Sequence, residues 1–132
     1  MIDISDLVRC SYSMEPNLST THNCASAVRE VLIRLGYKEA ANGFPVLPDA
    51  AISLLSRSME TLPWCRIGDQ ASLVRQAGNI AVTRDIKTGH MGVSVLFKSN
   101  DTRVLTALPD HGVRIMPIRA LPKVQSVFRP LR

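Results

Sequence analysis

The spacing of apolar residues changes part-way along this chain, and that change constrains the fold more than any single residue. Ala27, Val28, Val31, Leu32 and Leu35 recur at steps of three and four, with Arg29, Glu30 and Arg34 on the other side. That is the period of an amphipathic helix. Beyond Gly78 the step becomes two: Met91, Val93 and Val95 alternate against Gly92 and Ser94. That is the period of a half-buried strand. The spacing predicts a helix over 24–35 and strands over 79–83, 90–97, 102–108, 113–118 and 124–128. Helices first and strands last imply an α+β domain, with the helices packed on one face of an antiparallel sheet.

Local signals mark the boundaries. Thr21, His22 or Asn23 can cap the helix, and Gly36 can end it in a left-handed conformation. Ser5 is placed to cap a short helix with Ile4, Leu7, Val8 and Cys10 facing inward. Residues 11–21 read as a polar loop and 42–48 as a Gly/Pro-punctuated one. A second helix is expected over 49–59, with Ile52, Leu55 and Met59 on one side and Pro63 beyond it. Asp69 caps a short turn or helix reaching Gln76, ended by Gly78. Trp64 reads as a core anchor, and Cys10 and Cys65 as small buried hydrophobes.

A chain of 132 residues, 45% of them hydrophobic, fits one domain spanning 1–132. No apolar run is long enough to insert into a membrane. The acidic N-terminus lacks a basic n-region and an apolar stretch, so no secretory signal is expected. The protein either stays in the cytoplasm or leaves by a route that reads no such signal. Three cysteines leave at least one thiol free, and no Cys-x-x-Cys or His-x-x-x-His spacing occurs. Zinc is therefore not expected, nor any other cofactor. Net charge is +5 and the pI 9.6, yet aromatics are only 5% and no basic patch is interleaved with them. Nucleic acid is the weakest partner on these grounds. A polyanionic substrate such as bacterial cell wall, steered by charge, fits the same balance, and ordinary solubilising charge fits it at least as well.

Two segments carry chemistry. Thr21-His22-Asn23-Cys24-Ala25-Ser26-Ala27-Val28 sets a cysteine at the head of the helix. Gly89-His90-Met91-Gly92-Val93-Ser94-Val95 sets a histidine at the opening of a strand. A helix start and a nearby imidazole together favour thiolate, the form of cysteine that attacks. Helix against sheet would bring Cys24 and His90 together. A third group must orient the imidazole. With the turn centred on Asn100 and Asp101, antiparallel counting pairs His90 with about His111, so the candidates are His111, Asp110 and, deeper in the strand, Thr106. The bland reading of residues 109–112 is a turn. His22 reads as a solvated cap position.

The cysteine segment resembles the Asp/Asn-Cys-Ser-Gly-Phe-Val segment of NlpC-like cell-wall peptidases. The histidine segment resembles their Gly-His-Val-Gly-Ile-Tyr-Val strand, and Val127-Phe128-Arg129-Pro130 resembles their last strand. The resemblance implies a papain-like fold and cleavage of amide bonds in peptidoglycan stem peptides. It makes Cys24 the nucleophile and His90 the general base and acid. Small size and no evident signal are similar to type VI amidase effectors, which implies export, a phage-borne hydrolase being the other setting. A protein inhibitor or immunity partner would accompany such an effector. There are departures: Ala25-Ser26 replaces Ser-Gly, and no clear Gly-Asp precedes the strand at Asn79. A protease or deamidase acting on a protein uses the same Cys-then-His order. So does a non-catalytic binding module of the same fold.

Overall fold

The computed structural model describes residues 2–44, 59–68 and 70–132. A 3-10 turn, Leu7–Arg9, leads into β1 (Ser11–Tyr12), β2 (Thr21–His22), α1 (Cys24–Leu35) and α2 (Lys38–Asn42). Then come β3 (Trp64–Ile67) and a 3-10 helix, Gln70–Arg75. β4 (Ile80–Arg84), β5 (Met91–Val95), β6 (Arg103–Leu108), β7 (Gly112–Pro117) and β8 (Lys123–Pro130) follow. The fold is α+β. β3 to β8 form a six-stranded sheet in the order β3-β8-β4-β5-β6-β7, with every neighbour antiparallel. β1 and β2 pair in parallel within a separate two-stranded sheet.

α1 starts at Cys24 because Asn23 closes a reciprocal cap. Asn23 Oδ1 accepts from the Ser26 N–H at 2.7 Å, and Ser26 Oγ accepts from the Asn23 N–H at 2.9 Å. The helix ends at Gly36, whose φ of 91° is left-handed. Val28, Val31 and Leu32 are fully buried, and α1 lies on β5 and β6. Each such side chain contributes about 1.5–3 kcal/mol on leaving water.

Cross-strand partners share a face, so the core divides cleanly. Ile80, Val82, Val93, Val95, Leu105, Ala107 and Phe128 cluster with α1. Ala81, Leu96, Val104 and Val127 form a second cluster, closed by Leu73 and Ile118. α1 and α2 lie on the first face, and the second is closed by the 3-10 helix Gln70–Arg75 and by Ile118, so the sheet is covered on both. The reason lies in β4, where Ile80, Ala81, Val82 and Thr83 are all buried, so both of its sides need cover.

Other differences are local. Residues 11–21, read as a loop, hold the paired β1 and β2 at their two ends. β3 escapes the sequence because four residues, one of them Arg66, show no clear alternation. Trp64 is buried there, its ring centroid 6.2 Å from that of Phe44. Cys10 is buried as expected, but Cys65 is not, since alternation along β3 turns it away from the side of Trp64. The Ser5 hydroxyl bonds Asp3 rather than capping a helix, and Val8 is exposed. The helix expected over 49–59, apart from Met59, and the cap at Asp69 lie outside the described residues.

The N-terminal segment is tied across α1. Arg34 grips Asp6 with two bonds of 2.6 and 2.7 Å and Glu30 with one of 3.0 Å. That guanidinium holds the Asp6 carboxyl down to about 2. At the other end of the segment, the Val113 N–H donates to the Cys10 carbonyl at 3.1 Å.

Candidate active site

Cys24 is the first residue of α1 and is only 1% exposed. First-turn N–H groups have no acceptor within a helix. Asn23 takes that of Ser26. The first turn of α1 carries no acidic residue, so nothing there opposes the dipole's preference for negative charge.

The direction of α1 along the sheet follows from its far end. Arg34 and Leu35 line a hollow with Phe97, Lys98 and Ser99, just beyond the end of β5. Helix and strand therefore run the same way. The 12 residues of α1 span about 18 Å and the 5 of β5 about 17 Å, so the two starts lie level. Cys24 and His90 share one end of the molecule.

His90 stands exposed immediately before β5. Its carbonyl accepts from the Asp85 N–H at 2.8 Å, and its own N–H donates to Thr88 Oγ1 at 3.2 Å. Along β5, Met91, Val93 and Val95 belong to the α1 side, and Gly92 and Ser94 to the other. An imidazole at residue 90 reaches the thiol's side only where the chain departs from the pleat. His90 lies just outside β5, next to Gly89 at φ 72°.

The register moves the third candidate by one residue. Val95 pairs with Leu105. Five residues back from the first is His90 and five on from the second is Asp110, so the count continued past the end of β6 at Leu108 falls on Asp110 rather than His111. Both lie exposed in the turn between β6 and β7, closed by a His111 N–H to Leu108 carbonyl bond of 3.1 Å. Thr106 is buried and its hydroxyl donates to the Val93 carbonyl at 2.9 Å.

His22 departs from its sequence reading. It is 2% exposed rather than solvated, with Nδ1 3.0 Å from Ser26 Oγ. Burial pushes its imidazole below the ordinary value. The available signal was its place four residues before Ser26, one turn away across the capping box.

A six-stranded antiparallel sheet with a cysteine-headed helix laid on it is an NlpC-like fold. NlpC2 from Trichomonas vaginalis shares it, with a TM-score of 0.62 at 15% identity. The likeness covers 94% of this chain and 42% of that one, so the chain spans well under half of that neighbour's length. At this identity the likeness is one of fold. No family model matches the sequence, and no curated protein matches it.

Proposed function

We propose that this chain is a papain-like cysteine hydrolase that cuts amide bonds in peptidoglycan stem peptides. One feature supports the reading: Cys24 heads a capped helix that lies on β5, and His90 immediately precedes that strand. His90 takes the thiol proton, and the Cys24 sulfur attacks the scissile carbonyl carbon. The resulting oxyanion meets the N–H groups of Cys24 and Ala25. The C–N bond then breaks as His90 passes its proton to the leaving amine. Water, activated by the same imidazole, releases the acid from the thioester. Asp110 or His111 orients the ring. The setting this activity fits is an exported antibacterial effector or a phage-borne hydrolase, with a protein inhibitor where it is made.

The test is purified protein on isolated peptidoglycan, read by turbidity and by mass spectrometry of released fragments. Wild type is expected to release fragments bearing new amine and carboxyl ends, and Cys24→Ala none. Clearance by Cys24→Ala at the wild-type rate would overturn the reading. Intact peptidoglycan beside cleaved or deamidated protein substrates would replace it with the protein-directed one.

A further inference from the structure

A second concave feature lies two strands away from β5. A cleft of about 440 Å³ is lined by Glu60, Arg66, Lys123, Gln125, Ser126 and Phe128. It exists because β3 covers only part of β8: their pairing runs from Trp64 with Pro130 to Ile67 with Val127 and stops. Residues 123–126 of β8 thus extend past the end of β3. A bulge falls in the same stretch. Val82 faces Ser126 and Thr83 faces Val124, which leaves Gln125 as the extra residue. Bulges of this kind re-aim side chains and often border binding sites.

The pairings also say which way the cleft opens. Ser126 lies opposite Val82, Lys123 opposite Arg84, and Arg66 opposite Phe128. Val82 and Phe128 belong to the core beneath α1, so these side chains share the face that α1 covers. Lys123 pairs with Arg84, and Arg84 with Met91. The Lys123 end of the cleft is therefore the end where Cys24 and His90 sit. From β8 to β5 is two strand spacings, about 10 Å, the reach of about three extended residues.

The charges in the cleft favour an anion. Among the described residues that line it, Arg66 and Lys123 are the basic ones and Glu60 the acidic one. The Glu60–Arg66 pair is 3.2 Å long with its side chains 56% and 57% exposed, and such pairs hold weakly in water. A ligand carboxylate can take Glu60's place on the guanidinium fork, with the Lys123 ammonium alongside.

We infer that this cleft is a subsite for a carboxylate-bearing arm of the substrate, held by Arg66 and Lys123. The start of β5, which His90 precedes, lies about three extended residues away. The inference deepens the hydrolase reading and rests on it for that connection.

Binding tests it without turnover. Nitrogen-15-labelled Cys24→Ala protein, or Cys24→Ser should the alanine variant not fold, is titrated by NMR with the peptides Ac-Ala-Glu-Ala-NH2 and Ac-Ala-Gln-Ala-NH2, and with inorganic phosphate. The glutamate peptide is expected to move the Arg66 Nε, Lys123 and Gln125 signals saturably. The glutamine peptide should bind about fivefold more weakly, the scale of one partly exposed charge pair. Arg66→Met and Lys123→Met should each weaken the glutamate peptide by a similar factor, with spectra otherwise unchanged. Equal binding of the two peptides, shifts confined to other surfaces, or tighter binding of phosphate than of the glutamate peptide would overturn the subsite. None of these outcomes depends on hydrolysis, so they are separable from failure of the Cys24 test.

Discussion

His22 Nδ1 lies 3.0 Å from Ser26 Oγ, so a buried imidazole braces the capped turn that carries Cys24. The same hydroxyl accepts from the Asn23 N–H at 2.9 Å and sits 3.2 Å from the Asn23 carbonyl. Cap, cysteine and histidine therefore form one unit.

That unit makes stability pH-dependent. Burial lowers the His22 pKa from 6.5 in the folded protein. Below pH 6.5 the unfolded chain binds a proton that the folded one refuses, so stability falls with pH until the lowered folded value is passed. The urea midpoint is expected to drop between about pH 7 and pH 5, and His22→Gln to flatten that slope. The substitution also costs about 1 kcal/mol at neutral pH through the lost bond to Ser26. An unchanged slope in the variant would refute the assignment.

Thiol reactivity separates chemistry from exposure. Cys65 is more exposed than Cys24. If Cys24 is the nucleophile, iodoacetamide at about pH 6 labels it faster than Cys65, as tryptic mass spectrometry can measure. His90→Ala should remove that advantage. A Cys24 rate that rises with pH like an ordinary thiol's, in wild type, speaks against the pairing.

The register distinguishes the two turn residues. Asp110→Asn is expected to lower kcat on the order of 10–100-fold, because an imidazole held at the wrong angle misses the thiol proton. His111→Gln should leave kcat near wild type. The reverse pattern would make His111 the orienting group. Steady-state rates on a fixed peptidoglycan preparation decide between them.

Two glycines make a stability pair. Gly112 has φ 73°, and a Cβ there would sit 2.6 Å from the Cys10 carbonyl oxygen. Backbone cannot give way as a side chain can, so Gly112→Ala should cost about 2–3 kcal/mol in urea denaturation. It should also raise hydrogen exchange in β1 and β2. Gly89, at φ 72°, has nothing within 4 Å of the added carbon. Gly89→Ala then costs only about 1 kcal/mol of backbone strain. Its larger effect should fall on activity, through the angle of His90.

Much of the scaffold was legible residue by residue. The helix Cys24–Leu35, its cap at Asn23 and its stop at Gly36 agree with the sequence. The five strands expected after Gly78 all form, their bounds shifted by no more than a few residues. β3 was invisible because its alternation is too short, and β1 and β2 because two-residue strands have no period.

Periodicity, caps and turn glycines act over a few residues, so the sequence by itself determined a cysteine at a helix head and a histidine at a strand mouth. Only the tertiary structure decided that both stand at one end of the sheet, because that depends on which way α1 lies across β5. It alone shifted the count opposite His90 from His111 to Asp110, through a register set by the pairing of Val95 with Leu105. It alone buried His22 and set Arg66 beside Glu60 at the open stretch of β8, since these follow from how separate segments stack. Such contacts join residues that no local rule relates.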